Sequence, residues 1–311
     1  MKSTLFAVLF GISLGVGGFY IAHQKASQTS GNLDVYSQKP IIENVQAFIL
    51  QFAQSNYLPI RDFGVSEPQI AARAAILVDG VSNRVLFAKN PDEELPIASI
   101  TKLMTAIVII EDMDVNAVYT VFAEDLNVDG NGPDFVQGEK LLGTELMKIM
   151  LVKSSNDAAS VFASSAYRQG LDFVGLMNEK AVELGMASTH FSDPSGLNDA
   201  ENYSTASDVV KLIRAASHHE YIKDVATTVS VDVPTIEGIL YHIVNTDQLL
   251  RLIPQIILGK TGNTDGALGT MALAVRMDDR NSLISVILGS EDRFGETKKL
   301  IDWGKRAHKW D

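Results

Sequence analysis

Apolar residues are unevenly spread along this chain. Thr4 to Ala22, TLFAVLFGISLGVGGFYIA, runs 19 residues without a charge behind Lys2. That matches the ~20 apolar residues of a bilayer-spanning helix and exceeds the ~7–15-residue core of a secretory signal. The exit, HQKASQTSG, holds no clear Ala-x-Ala cleavage site. Residues 1–25 are therefore expected to be an uncleaved membrane anchor, in preference to a cleaved signal or a buried core helix. Lys2 predicts a cytoplasmic N-terminus, with the remainder extracytoplasmic. Residues 26–68 read as a linker rich in Ser, Gln and Gly, with apolar residues at helical spacing over 41–56 that predict a short helix. One domain is expected over 69–311.

Within that domain AAILVDG, a Val-Ser-Asn turn and RVLFAKN predict a β-hairpin. Helical periodicity covers Ile97–Ile110, Glu145–Val152, Ala158–Tyr167 and Leu171–Leu184, with Gly185 as C-cap. Ser207–Ser217 predicts a further helix with Ser207 as N-cap. Thr228–Val233, Gly269–Val275 and Ser282–Leu288 read as strands. Glu296–Trp310 reads as a closing helix with Leu300, Ile301 and Trp303 inward. Strands, then many helices, then strands predict an α+β domain with α/β/α-type layers: an antiparallel sheet built from both ends, flanked by helices, with a helical cluster inserted. No internal repeat is visible.

Composition narrows the function. Among 311 residues there is no cysteine, which excludes disulfides, Cys-ligated zinc, iron–sulfur sites and thiol catalysis. The chain carries 38 acidic against 26 basic groups, a formal charge of −12, which argues against nucleic acid as a partner. Lys2 and Lys25 are the only charged residues among the first 30, so the acidic excess lies wholly beyond them. Asp125–Asp134 looks superficially like a calcium loop, yet lacks the Asp-x-Asp-x-Asp-Gly register and the closing glutamate. His190 is expected to hydrogen-bond structurally, and His218-His219 to end a helix in solvent.

Three short motifs carry chemistry. Ser99-Ile-Thr-Lys102 is an S-x-x-K, which places a hydroxyl and an amine on one helix face. A serine needs a base to become a nucleophile, and a lysine of lowered pKa can be that base. Ser154-Ser-Asn156 is an S-x-N in a polar break between helices. There a hydroxyl can pass a proton and an amide can hold a carbonyl or the lysine. Lys260-Thr261-Gly262, on a strand after IPQIILG, can bind a carboxylate by charge and hydroxyl, with the glycine admitting a substrate backbone. The N–H groups of Asn263 and Ser99 are candidates for an oxyanion hole. Alone each motif is a weak signal. In this order, with gaps of about 50 and 100 residues, they form the set found in penicillin-binding proteins and class A β-lactamases.

The surrounding residues carry a closer resemblance. Pro96 to Thr105 (PIASITKLMT), Lys153 to Ala158 (KSSNDA), Thr189 to Leu197 (THFSDPSGL) and Gly259 to Thr264 (GKTGNT) resemble the serine D-alanyl-D-alanine carboxypeptidases, the low-molecular-mass penicillin-binding proteins of peptidase family S11. The likeness runs over about residues 71–305 and implies a penicillin-binding protein/β-lactamase-like transpeptidase fold. It implies Ser99 as acylated nucleophile, Lys102 as general base, Ser154 as proton relay and Asn156 as a hold on the peptide carbonyl. Lys260 and Thr261 would bind the terminal carboxylate, and Ser99 and Asn263 would supply the oxyanion hole. The implied partners are peptidoglycan stem peptides ending in D-Ala-D-Ala, with β-lactams as inhibitors; no metal or cofactor is called for. The chain departs from many members at Ser155, where they carry glycine, at Asn263, and at Leu268 within T-x-x-A-G. A D,D-endopeptidase, a class A-like β-lactamase and an inactive peptidoglycan-binding module remain as alternatives. For the β-lactamase, Glu179, Glu183, Glu201 and Glu220 lie between Asn156 and Lys260 without a convincing deacylation context.

Overall fold

The apolar runs at the two ends of the domain pair with one another. The computed structural model describes residues 58–126 and 135–310, which belong to one unit, Asn56–Asp311. Its strands are β1 (Ile60–Arg61), β2 (Ala74–Asp79), β3 (Val85–Lys89), β4 (Leu95–Pro96), β5 (Val118–Thr120), β6 (Lys140–Leu142), β7 (Tyr203–Ser204), β8 (Ser230–Pro234), β9 (Leu240–Val244), β10 (Ile256–Thr264), β11 (Leu268–Arg276), β12 (Ser282–Ser290) and β13 (His308–Lys309). Its helices are α1 (Thr101–Asp112), α2 (Gly143–Val152), α3 (Asn156–Arg168), α4 (Phe173–Glu183), α5 (Ala206–Ser217), α6 (Glu220–Ala226) and α7 (Arg293–Ala307).

The main sheet has the order β10-β11-β12-β2-β3, every neighbouring pair antiparallel. Side chains alternate between its faces. Ala75, Leu77, Met271, Leu273, Leu283 and Ile287 face a cluster with Leu300, Ile301 and Trp303 of α7. Ala74, Ile76, Val78, Ala272, Ala274, Ile284 and Val286 face the larger cluster built by the other helices. Covering both faces explains why these strands read as unbroken apolar runs. Helix α1 lies inside the larger cluster, and every residue from Thr101 to Ile109 is buried. A helix that is apolar nearly all round belongs in a core, and this one starts at the site described below.

Several boundaries move for identifiable reasons. Thr205, not Ser207, caps α5, its hydroxyl accepting from Asp208 N at 3.0 Å; Ser207 Oγ instead donates to Asp92. Helix α7 starts earlier than the apolar stripe suggests, because Asp292 accepts from Gly295 N at 3.0 Å. It stops at Ala307, where β13 pairs with β1, a strand within the stretch read as linker. The strand expected at Thr228–Val233 is β8, and its partner β9 escaped notice. Only Val233 and Ile243 of that pair are buried, so little alternation marks it. His219 is partly buried, with Nε2 3.3 Å from a Glu111 oxygen. His190 Nδ1 lies 2.8 Å from Glu201 O, and its ring stacks on Tyr203, the structural role expected.

Among the described residues no helix is long and apolar enough to cross a membrane. The apolar run 4–22, the helix expected over 41–56 and residues 127–134 of the calcium-like stretch lie outside them.

Trp303 joins the sheet to the termini. It is 1% exposed, meets Phe87 edge-on at 5.9 Å, and carries the Arg61 guanidinium 4.4 Å above its ring. Trp303→Ala is expected to cost about 3–5 kcal/mol. A lowered denaturant midpoint checks this; a midpoint within error of wild type contradicts it.

Candidate active site

Ser99 sits in a 3-10 turn, Ala98–Ile100, that feeds directly into α1. Three residues on, Lys102 falls on the same face, and because α1 is buried all round, it points into protein rather than solvent. Its Nζ lies 2.9 Å from Ser99 Oγ, and donates to Asn156 Oδ1 at 2.6 Å and to Ser195 O at 2.8 Å. Burial, helped by the positive charge of Lys260, holds the Lys102 amine well below the ordinary lysine range; Asp193 opposes this more weakly. A neutral amine has two N–H bonds and one lone pair. The two carbonyl oxygens take the N–H bonds, which leaves the lone pair for the Ser99 hydroxyl. Such a pair can transfer the hydroxyl proton.

The loop between α2 and α3 brings the second motif to the same place. Ser154 adopts a left-handed φ of +63°, a conformation that costs a non-glycine residue roughly 1–3 kcal/mol. Ser155 Oγ caps α3 by accepting from Ala158 N at 3.1 Å. The serine that replaces glycine here therefore anchors a helix. Asn156 opens α3 and is buried, its side-chain oxygen on Lys102.

Strand β10 forms the opposite wall, at the edge of the sheet. Lys260 is 1% exposed and donates to Ser154 Oγ at 2.8 Å and Thr261 O at 2.9 Å. Burial pulls its pKa down to about 7, with Asp247 raising it and Arg293 lowering it. Thr261 Oγ1 lies 2.7 Å from Thr246 Oγ1. Arg293 Nη1 donates to Asn263 Oδ1 at 3.2 Å. Gly262 lies tight against the Ser99 turn. A Cβ there would fall 2.4 Å from Thr270 Oγ1, 2.8 Å from Ala98 Cβ and 2.9 Å from Ser99 N. The missing side chain lets β10 close on that turn.

A fourth segment, residues 192–202, completes the site. Asp193 accepts from Ser195 N, Ser195 Oγ and Gly196 N at 2.7 Å each, from Asn198 N at 3.0 Å, and from Asn202 Nδ2. Burial pushes the Asp193 carboxyl up, but these donors outweigh it and leave it below the usual carboxylate range. The loop is thereby fixed so that Ser195 O meets Lys102. Gly196, at φ +82°, lies where a Cβ would strike Ala98 O at 2.0 Å. Asp199 ties the same loop to the turn after β10, accepting from Thr264 Oγ1 at 2.5 Å and Gly266 N at 3.1 Å. A recess of about 450 Å³ opens beside Asn156 against this loop. Among the described residues no group of three or more His, Asp or Glu could hold a metal ion.

This geometry has relatives. The family described as Peptidase S11, D-alanyl-D-alanine carboxypeptidase, matches residues 61–292. The chain belongs to that family. It is 32% identical over 244 residues to the D-alanyl-D-alanine carboxypeptidase DacB2 of Mycobacterium tuberculosis, covering 76% of this chain and 83% of that one. It is 34% identical to a D-alanyl-D-alanine endopeptidase of Haemophilus influenzae, over 70% of this chain and 74% of that protein. The structure of the Streptomyces K15 DD-transpeptidase superposes with a TM-score of 0.72 at 25% identity, over 77% of this chain and 99% of that one. The transpeptidase-type fold, an antiparallel sheet with helices, follows from that likeness.

For this carboxypeptidase the structure gathers Ser99, Lys102, Ser154, Asn156 and Lys260 through hydrogen bonds, with Thr261, Gly262 and Asn263 following on the same strand. Reading by motif missed Ser195, Asp193, Thr246, Asp247, Arg293 and Asp199. The family-like Thr189–Leu197 segment, with its turn-forming Ser-Asp-Pro-Ser-Gly stretch, signalled the loop but not the roles of its side chains. Gly262→Ala is expected to leave a folded enzyme whose kcat/KM for D-alanine release falls about 100-fold, because the Ser99 turn is displaced. Activity within threefold of wild type contradicts this.

Proposed function

We propose that this enzyme removes the terminal D-alanine of peptidoglycan stem peptides through an acyl-enzyme on Ser99. Lys102 takes the Ser99 proton as Oγ bonds to the penultimate D-alanyl carbonyl carbon. The oxyanion rests on the N–H groups of Ser99 and Asn263. The carbon–nitrogen bond breaks, and Ser154 passes a proton to the leaving amine while regaining the one that Lys102 took from Ser99, which leaves the lysine neutral again. Lys260 and Thr261 hold the terminal carboxylate, and Asn156 steadies both Lys102 and the peptide carbonyl. Water then cleaves the ester and restores Ser99. β-Lactams, which acylate the same serine, are the expected inhibitors.

The observation that carries this reading is the placement of Lys102. Its amine is buried, held low, supplied with two carbonyl acceptors and left facing Ser99 Oγ at 2.9 Å. The action is extracytoplasmic, with residues 1–25 as tether, a linker after them, and the catalytic domain from about residue 56 onward. Cleavage of D-Ala-containing cross-links is the second reading, favoured by the similarity to an endopeptidase. A β-lactamase reading is disfavoured because Asp193, the carboxylate whose charge acts on Lys102, is saturated with donors.

The test is labelling of the full chain with fluorescent penicillin, followed by a diacetylated Lys-D-Ala-D-Ala peptide. Stable labelling and D-alanine release are expected in wild type, both lost in Ser99→Ala. Lys102→Ala is expected to acylate about 10²–10⁴-fold more slowly. Labelling that persists in Ser99→Ala refutes the mechanism, and normal acylation in Lys102→Ala removes lysine as base. Cross-linked muropeptide as substrate separates the endopeptidase reading.

A further inference from the structure

The segment Asn245–Asp247 runs beside β10 at Gly259 and Thr261, the neighbours of Lys260 in the strand. Thr246 Oγ1 meets Thr261 Oγ1 at 2.7 Å, and the next residue, Asp247, lies against Gly259. A Cβ on Gly259 would fall 2.6 Å from Asp247 Oδ2, so this glycine leaves room for the carboxylate immediately before Lys260 in the strand. Asp247 is 4% exposed. One oxygen, Oδ1, accepts from Leu249 N at 2.8 Å and caps a short turn, Gln248–Arg251. The other, Oδ2, is buried with no hydrogen-bond partner. Capping needs only one acceptor, which an asparagine or a serine supplies as well. A second, unpartnered carboxylate oxygen in the interior is costly unless its charge is used. The positive charges that act on it are Lys260 of β10 and Arg293 of α7, while Arg251 of the capped turn lines the same recess.

We propose that Asp247 is a positioning residue for D-alanine release, its buried carboxylate holding Lys260 in the charged form that receives the substrate's terminal carboxylate. The proposal rests on the role given above to Lys260. The direction of each shift agrees with it. Burial raises Asp247 to about 6, opposed by its backbone hydrogen bond and by Lys260 and Arg293. Burial lowers Lys260 to about 7, and Asp247 is the group that pulls it back up. As pH rises through about 6, Asp247 ionises and supports the Lys260 charge; through about 7, Lys260 loses its proton. Without the carboxylate, Lys260 would lose that proton at lower pH. Below about pH 6 the wild-type carboxyl is itself neutral, so removing its charge changes little there.

The experiment is the pH dependence of kcat/KM for D-alanine release by the full chain, in wild type and Asp247→Asn. The basic limb is expected to move down by at least half a pH unit in D247N. KM is expected to rise severalfold at pH 8, while the two enzymes agree within about twofold at pH 5.5. A uniform loss at every pH, which a structural role alone would give, overturns the proposal; so does an unchanged limb. If D247N fails to fold, Asp247→Ser, which keeps an acceptor for Leu249 N–H, takes its place under the same criteria. Lys260→Ala separates the proposal from the reading beneath it. A basic limb that survives Lys260→Ala refutes the role of Lys260 itself. A limb lost in Lys260→Ala yet unmoved in D247N refutes only the role of Asp247.

Discussion

A lysine amine buried without a bonded carboxylate is the constraint on which the site depends. Removing an ammonium from water is expensive, and a protein avoids the cost by releasing the proton. Lys102 is fully buried, and its contacts are a hydroxyl and two carbonyl oxygens. Those partners suit an amine, which needs two acceptors and one donor, better than an ion. The opposing charge that acts on it, Asp193, is occupied by N–H and O–H donors of its own loop. The positive charge of Lys260 lowers Lys102 further, while Asp247 raises Lys260 against the effect of its own burial.

The fold serves this arrangement. A sheet covered on both faces gives rigid walls, and α1, buried nearly all round, delivers Ser99 and Lys102 from the core. Closure of the site comes from absent side chains. Gly262 lets β10 approach the Ser99 turn, and Gly196 lets the 192–202 loop approach from the other side. Ala98 and Ser154 hold left-handed backbones at the centre of the site, so strain is concentrated where orientation matters.

Much of this was legible in the chain. The hairpin, the helix bearing Ser99 and the strand bearing Lys260 are all marked by apolar stretches, because each packs into the core. The three motifs marked the lysines because their spacing reflects local geometry. The supporting residues were not legible. Asp193 acts through backbone N–H groups of its own turn, Arg293 reaches Asn263 from the start of a helix, and Asp247 works across a strand; none of these leaves a periodic trace. The β8–β9 pair buries one residue per strand and so gives no alternation. Ser207 and Thr205 are both good caps by residue type, and only the fold decides which hydroxyl meets a free N–H.

The central claim is that Lys102 rests as a neutral amine beside Ser99. The most direct measurement is an NMR titration of its side-chain Cε resonance in selectively labelled full-length enzyme, assigned with Lys102→Arg. The account predicts an amine shift already at neutral pH and a midpoint well below that of an ordinary lysine. A resonance that stays at the ammonium position through pH 9 would contradict it.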